Sequence, residues 1–177
     1  MSVRRLNHAV LYVSNVSRSV EFYHDTLGFE TATEIPGRAA FLRAPGTTND
    51  HDLGLFQIED AAQPFSTKDV PGNGAGERPR VGLYHLAWEV GTLGELADAA
   101  RRLSARGALV GASDHRVSRS LYAKDPDGIE FEVMWRVPAQ DWDAERQKGA
   151  LIAPLDLDAD LARWGDLVTG AAAGSAT

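Results

Sequence analysis

The sequence predicts an α+β protein made of two paired βαβββ modules, and three observations favour this fold class. A strand-like run with a central histidine occurs twice, at residues 6–13 and again at 82–90. Each run is followed by a helix-like segment that ends at a glycine, 20 residues after His8 and 22 residues after His85. A stretch rich in glycine, proline and charge, 59–80, separates the two copies and is typical of a linker or a lid.

Length and composition limit the classes of protein to which the chain can belong. Its 177 residues, 44% hydrophobic and 24% charged, are enough for one ordinary domain or two small fused units. A net charge of -7 argues against nucleic acid as a partner and favours small molecules. Because the chain has no cysteine, any metal must be bound by nitrogen and oxygen. No apolar run suggests a signal peptide or a membrane span, so we expect a cytoplasmic protein without a membrane partner.

The first module is expected at residues 3–58. It begins with a strand at 3–13, after which Asn15 can cap a helix that Gly28 ends. The apolar positions of this helix recur with helical spacing: Val16, Val20, Tyr23 and Leu27. Three further strands follow at about 29–35, 38–44 and 52–58, and a Pro36-Gly37 turn joins the first two.

The second module, 81–136, is expected to repeat this order of elements. The elements are a strand at 81–90, a helix at about 92–106 and strands near 108–112, 117–123 and 129–136. Each half-sheet alone would be small and rich in edges, whereas pairing would bury both around a shared concavity. A C-terminal arm at 137–169, with a short helix through Leu161 and Trp164, and a disordered tail at 170–177 complete the chain.

Histidine and glutamate residues in these strands suggest a metal site. On its strand, His85 shares a mostly apolar face with Leu83 and Ala87, so it is either a core histidine or a ligand aimed into a cavity. Glu130 and Glu132 share one face of the last strand, and the residues alone do not choose between them. Two histidines and one carboxylate are the ligand set of a facial metal site.

Several short motifs carry a resemblance to a known family. They are His8 in the first strand, Phe22-Tyr23, Leu27-Gly28-Phe29, Tyr84-His85-Leu86-Ala87, and Asp125-Pro126-Asp127-Gly128 with a glutamate seven residues after the first aspartate. Over about residues 4–136 this pattern resembles the vicinal oxygen chelate superfamily, which includes glyoxalase I and the fosfomycin and bleomycin resistance proteins. The resemblance implies an open, cupped mixed sheet around a metal site, and its seven-residue offset selects Glu132. Ile129 departs from the asparagine usual after this turn.

Within that superfamily, the set His8, His85 and Glu132 is similar to the ligands of extradiol dioxygenases of the catechol 2,3-dioxygenase type. The resemblance implies Fe(II), with Mn(II) as the alternative, and three open positions for a catechol and O2. Glyoxalase-like members tend to present a fourth, acidic ligand at the end of the first module. Here that region contains no glutamate before Glu59.

Three further residues match the dioxygenases. His51, directly before a strand, resembles their histidine beside the metal and is expected to act as an acid and base. Tyr122, ten residues before Glu132, resembles the tyrosine that hydrogen-bonds a substrate oxygen. The run Asp114-His115-Arg116-Val117-Ser118 is similar to their Asp-His-x-Val-Ser segment, which implies that His115 lines the pocket.

The resemblance thus implies an enzyme that cleaves the ring of a catecholic aromatic with O2, and a homodimer, since dimers are common in the family. Two alternatives stay open. One is a glyoxalase-type isomerase or lyase that uses Ni(II), Zn(II) or Co(II) as a Lewis acid. The other is a metal-free binding protein like the antibiotic-sequestering members, in which His8, His85 and Glu132 do not converge.

Overall fold

A computed structural model describes residues 2–3, 5–59, 82–165, 167 and 169. These residues divide into two compact units. The first unit holds the described residues up to 59 and the turn Asp125–Gly128, and the second holds 82–124 and the described residues from 129 onward. Nearly all of the predicted linker and the whole predicted tail lie outside the described residues. Among the described residues, no helix has the length and apolar character needed to cross a membrane.

The first unit contains one strand, one helix and three further strands. They are β1 (Ala9–Val13), α1 (Val16–Leu27), β2 (Glu30–Ile35), β3 (Ala39–Arg43) and β4 (Leu53–Gln57). The strands form a mixed sheet in the order β1-β4-β3-β2. β1 runs parallel to β4, and the other neighbouring pairs are antiparallel.

The second unit repeats this order. Its elements are β5 (Leu86–Glu89), α2 (Leu93–Ala105), β6 (Leu109–Asp114), β7 (Ser118–Lys124) and β8 (Glu130–Arg136). The sheet order is β5-β8-β7-β6, again with only the first pair parallel. Because connectivity and pairing are the same in both sheets, the predicted α+β fold of two βαβββ modules is confirmed.

The first strand of each module begins later than the sequence pattern indicates. β1 was expected from residue 3, but its ladder starts where Ala9 pairs with Leu53, the first residue of β4. The ladder of β5 likewise starts where Leu86 pairs with Phe131. Strand bounds depend on the partner strand, which periodicity does not reveal. His8 and His85 therefore lie one residue before their strands, and the placement of both histidines within strands was wrong.

Helix α1 begins and ends at the residues that its capping chemistry predicts. The Asn15 side chain accepts a hydrogen bond from the Arg18 backbone N–H at 2.9 Å. Gly28 ends the helix with φ +74°, a conformation that glycine adopts without strain. The buried stripe differs slightly from the predicted one, since α1 packs on β3 and β4 through Val16, Ser19, Phe22, Tyr23 and Thr26.

Among the described residues, helices pack on one face of each sheet. In the first unit, apolar side chains of the sheet pack towards α1: Leu11, Val13, Leu42, Leu53 and Leu55. In the second unit, the face that packs on α2 and the C-terminal helices carries Arg119, Leu121, Phe131, Val133 and Trp135. Side chains alternate along a strand, so the intervening residues of both sheets face the other way.

The C-terminal arm is fastened to the second sheet by a buried arginine. Beyond β8 the chain forms a short 3-10 turn, then α3 (Trp142–Arg146) and α4 (Leu157–Trp164). The Arg119 side chain, only 1% exposed, pairs with Glu145 at 3.1 Å and Asp160 at 2.5 Å, both in the arm. It also pairs with Asp114 at 2.8 Å and stacks on the Trp164 ring at 5.1 Å. These contacts join β6, β7 and both helices of the arm.

The acidic centre of this cluster is Glu145, which is fully buried. Burial alone would raise the pKa of the Glu145 carboxyl, but hydrogen bonds from Lys148, Arg163 and Arg119 outweigh it and lower the pKa to about 2. Arg119 responds in the opposite sense: burial opposes its charge, but Asp160 and Asp114 raise the pKa of its guanidinium. Glu145 and Arg119 therefore both stay ionised at neutral pH.

The Asp125–Gly128 turn belongs to the first unit. Asp127 accepts hydrogen bonds from the Ser14 backbone N–H at 2.9 Å and from the Arg18 guanidinium at 2.6 Å. The Tyr23 hydroxyl donates to Asp125 at 3.2 Å. Gly128 has φ +84°, so the glycine of the Asp-Pro-Asp-Gly motif is explained by the backbone conformation that the turn requires.

Candidate active site

In the first unit, two predicted site residues lie together. The ring centroids of His8 and His51 are 4.6 Å apart. Phe41 packs against His51 in a T-shaped arrangement, with the two ring centroids 5.1 Å apart. His8 is exposed, whereas the His51 side chain is only 17% exposed. A candidate metal ligand and a candidate acid and base are thus neighbours within one unit.

His51 is oriented by the residue before it. Its Nδ1 lies 2.8 Å from a carboxylate oxygen of Asp50. Because an ionised carboxylate only accepts hydrogen bonds, Nδ1 carries the hydrogen and Nε2 keeps its lone pair. The hydrogen bond from His51 also lowers the pKa of the Asp50 carboxyl. This arrangement leaves Nε2 of His51 free to take a proton.

In the second unit, His85 and Glu132 form a pair. His85 Nε2 lies 3.1 Å from Glu132 Oε2, and the two side chains are 24% and 14% exposed. Strand register explains the contact, because Glu132 stands opposite Ala87, two residues from His85 and on the same face of the sheet. The pair lies on the face opposite the one that packs on α2 and the C-terminal helices.

Glu130, the other candidate carboxylate, has a different partner. It stands opposite Lys124 in the β7–β8 register, and the two side chains form an ion pair at 3.2 Å. Glu130 is buried, so this counter-ion offsets the cost of burying its charge. The contacts therefore support Glu132, rather than Glu130, as the partner of His85 in a metal site.

Tyr122 stands beside this pair. It faces Glu132 across the β7–β8 ladder, and its ring centroid lies 5.9 Å from that of His85. Its hydroxyl is 2.7 Å from His115 Nε2. Burial raises the pKa of the Tyr122 phenol, and the negative charge of Glu132 raises it further. The phenol therefore remains protonated at neutral pH and can donate a hydrogen bond.

The segment that carries His115 is held from both sides. Arg116 has φ +68°, which is uncommon for a residue other than glycine, and its backbone N–H donates to Asp114 at 2.6 Å. Asp114 in turn pairs with Arg119 and exchanges two backbone hydrogen bonds with Ala153 of the C-terminal arm, at 2.9 and 3.0 Å. The arm therefore fixes the segment that brings His115 to Tyr122.

The donor set of the second unit fits two positions of a metal site. Two ligands about 2.1 Å from one cation and at about a right angle are about 3 Å apart, close to the His85–Glu132 separation of 3.1 Å. Within the described part of the chain, however, no group of three or more histidine or acidic side chains is arranged to hold a metal ion. His85 Nδ1 is buried and has no hydrogen-bond partner among the described residues. That His8 completes the set stays a prediction.

The structure thus places every predicted site residue in one of two clusters. The first unit brings together His8 and His51. The second unit brings together His85, Glu132, Tyr122 and His115. The sequence interpretation missed Asn7, whose side-chain oxygen lies 2.9 Å from His8 Nδ1. Its position next to a predicted ligand was the signal that could have identified it.

Comparison with known proteins identifies the family of this chain. The model of the Glyoxalase/Bleomycin resistance protein/Dioxygenase superfamily matches residues 5–133. A catechol-2,3-dioxygenase of Bacillus subtilis is 29% identical over 86% of this chain and 49% of its own length. A biphenyl-2,3-diol 1,2-dioxygenase of Rhodococcus globerulus is 34% identical over 73% of this chain and 62% of its own length. The chain therefore spans between about half and two thirds of these two relatives.

Solved structures agree on the fold. A glyoxylase/bleomycin resistance protein/dioxygenase domain from Frankia sp. EAN1pec superposes with a TM-score of 0.61 at 20% identity, over 81% of this chain and 99% of that one. Since the identity is low, this similarity concerns the fold alone. The match of the family model covers most of the chain, and the two repeated modules agree with it. The chain belongs to the Glyoxalase/Bleomycin resistance protein/Dioxygenase superfamily.

Proposed function

We propose that this protein is a metal-dependent extradiol dioxygenase that opens the ring of a catecholic substrate with O2. His8, His85 and Glu132 would hold Fe(II), with Mn(II) as the alternative. The observation that carries the proposal is the arrangement of His85, Glu132, Tyr122 and His115 on one face of the second sheet. The two dioxygenase relatives support the same reaction class.

The overall reaction consumes one catechol and one O2. The ring bond next to the diol breaks, and both oxygen atoms enter a yellow muconic semialdehyde, so no external reductant is needed. When bound, the metal would be chelated by both substrate oxygens and would let electrons pass from the ring to O2. The residues of the chain then have two tasks, which are to move protons and to hold the substrate oxygens.

His51 is suited to the first task. Asp50 fixes the hydrogen on its Nδ1 and leaves Nε2 free. Nε2 would take the proton of the second catechol hydroxyl and return a proton when the O–O bond breaks. His51 would therefore end each turnover in the protonation state in which it began. Its packing between His8 and Phe41 fixes the plane of the imidazole ring.

Tyr122 and His115 are suited to the second task. The Tyr122 phenol stays protonated because burial and the Glu132 charge raise its pKa. A protonated phenol can donate a hydrogen bond to a substrate oxygen as negative charge develops there. His115, 2.7 Å from the hydroxyl, would hold that phenol in position.

One contact argues against the glyoxalase alternative. That chemistry is expected to need a fourth, acidic ligand at the end of the first module. β4 contains no acidic residue and ends at Gln57, whose side-chain oxygen accepts a hydrogen bond from the Val16 backbone N–H at 3.1 Å. The Gln57 side chain therefore hydrogen-bonds the first residue of α1, and β4 offers no acidic side chain as a fourth ligand.

The test is oxygen uptake with a panel of catechols. Protein purified without oxygen and loaded with Fe(II) or with Mn(II) is mixed with catechol, substituted catechols and 2,3-dihydroxybiphenyl. The proposal predicts equimolar consumption of O2 and catechol and a yellow product. If no catechol is consumed while a hemithioacetal is isomerised with Ni(II) or Zn(II), the glyoxalase alternative replaces the proposal. If neither reaction occurs and no metal binds, both metal-dependent functions are refuted, and the metal-free binding protein is the remaining alternative.

A further inference from the structure

A hydrogen-bonded chain of four side chains connects His8 to a buried carboxylate in the first unit. The chain runs from Asp52 through Asn49 and Asn7 to the imidazole of His8. Asp52 is only 9% exposed, and Asn49 is half-buried. Each link has a donor and an acceptor side, so a group of fixed polarity at one end can determine the polarity of every link.

Asp52 is that group. One of its carboxylate oxygens accepts hydrogen bonds from the Thr47 hydroxyl at 2.9 Å and from Asn49 Nδ2 at 2.7 Å. The other accepts the Ala44 backbone N–H at 2.9 Å. An ionised carboxylate can only accept, so it holds the loop between β3 and β4 and also requires that the amide nitrogen of Asn49 points towards it.

Two further groups fix the orientation of the Asn49 amide. The same nitrogen donates to the backbone carbonyl of Asn7 at 2.9 Å, and a carbonyl also only accepts. On the other side of the amide, Asn49 Oδ1 accepts a hydrogen bond from the Arg5 guanidinium at 2.5 Å, and arginine only donates. Asp52, the Asn7 carbonyl and Arg5 all exclude the flipped amide.

The orientation of Asn49 then determines that of Asn7. Asn49 Oδ1 accepts from Asn7 Nδ2 at 3.1 Å, which turns Asn7 Oδ1 towards His8. That oxygen lies 2.9 Å from His8 Nδ1. Because an amide oxygen only accepts, the neutral imidazole must carry its hydrogen on Nδ1 and its lone pair on Nε2.

We infer that the Asp52–Asn49–Asn7 chain positions His8 for metal binding by holding it in the tautomer whose Nε2 is free. The inference rests on the proposed role of His8 as a ligand and assigns positioning roles to three residues outside the ligand set. His85 differs, because its Nε2 faces the Glu132 carboxylate and its Nδ1 has no partner among the described residues. Of the two proposed histidine ligands, His8 would therefore present a prepared nitrogen in the metal-free protein, whereas a metal would displace a hydrogen from His85.

The first readout needs no metal. In metal-free protein, at a pH where histidine side chains are neutral, long-range 1H–15N correlation spectra report which ring nitrogen of His8 carries the hydrogen. We expect Nδ1–H in the wild type and a shift towards Nε2–H in Asn7→Leu, which removes the acceptor. Asn7→Asp keeps an acceptor in place and should retain Nδ1–H. Arg5→Met is the matched control, because Asp52 and the Asn7 carbonyl still orient Asn49 without Arg5.

The second readout is the affinity for Fe(II), measured by anaerobic titration. Loss of an outer-shell partner typically weakens metal affinity about 10- to 100-fold, and we expect a loss in that range for Asn7→Leu but not for Asn7→Asp or Arg5→Met. Nε2–H in the wild type, or no change of tautomer in Asn7→Leu, overturns the inference. So does a changed tautomer with unchanged affinity. A wild type that binds no Fe(II) refutes the proposed function instead, while the tautomer spectra still decide whether the chain orients His8.

Discussion

Replacing Arg119 with methionine is expected to destabilise the second unit strongly. The Arg119 side chain is 1% exposed and pairs with three carboxylates, of which Glu145 is fully buried. Removing one partner of a buried ion pair costs about 3–5 kcal/mol. Glu145 keeps Lys148 and Arg163 as partners, so we expect about 3 kcal/mol, the lower end of that range. At about 2–4 °C per kcal/mol, the unfolding temperature should fall by roughly 6–12 °C.

Tryptophan fluorescence during thermal unfolding is a suitable assay, because all four tryptophans lie in the second unit. The matched control is Arg101→Met. Arg101 forms an exposed ion pair with Asp98 on α2, with side chains 70% and 51% exposed, and methionine is as good a helix former as arginine. Such a pair contributes about 0.3–0.5 kcal/mol. If Arg119→Met shifts the unfolding midpoint no more than Arg101→Met does, the cluster does not hold the arm to the sheet.

Two further predictions concern acid stability and catalysis. The folded-state pKa of Glu145 lies at about 2, below its ordinary value of 4.5, so the unfolded chain takes up the proton first. The stabilisation from the ionised Glu145 carboxylate is therefore complete above about pH 4.5 and is lost as the pH falls towards 2. Urea midpoints measured across this range of pH should fall less steeply for Glu145→Gln than for the wild type. Tyr122→Phe should lower kcat about 100-fold, as loss of one hydrogen-bond donor to developing charge does, while Fe(II) affinity in anaerobic titration stays the same. An equal loss of affinity would mean that Tyr122 supports the metal rather than the substrate.

The order of elements could be predicted because its signals are local. Asn15 caps α1 and Gly28 ends it, and both roles follow from the chemistry of these residues and their neighbours. The first residue of each ladder could not be predicted in this way. β1 starts at Ala9 because β4 starts at Leu53, and no periodicity within residues 3–13 contains that information.

The same distinction holds for the site. Glu130 and Glu132 share one face of one strand, so alternation along the strand does not separate them. What separates them is cross-strand register, which sets Lys124 opposite Glu130 and Ala87 opposite Glu132. The resemblance to the vicinal oxygen chelate superfamily selected Glu132 through a motif, and the contacts of the two carboxylates support the same choice.

The hydrogen-bonded chain behind His8 could not be read from the sequence. Asn7 and Asn49 are 42 residues apart, and asparagines in polar segments usually indicate turns or caps. Only the pairing of β1 with β4 brings the two segments together, since Ala9 N–H donates to the Asp52 carbonyl at 3.0 Å. The residues that we propose to position His8 therefore emerge from the register of the sheet rather than from a motif.

The most direct test of the central claim compares Glu132→Gln with Glu130→Gln. Both substitutions remove one carboxylate charge from the same face of β8, but Glu132 pairs with His85, whereas Glu130 pairs with Lys124. The measurement is anaerobic Fe(II) affinity, followed by oxygen uptake with catechol. We predict that Glu132→Gln loses more than the roughly 100-fold that an outer-shell change costs and no longer consumes O2, while Glu130→Gln binds Fe(II) and turns over. Equal Fe(II) affinity in the two variants, or loss only in Glu130→Gln, would contradict the assignment of Glu132 as a metal ligand.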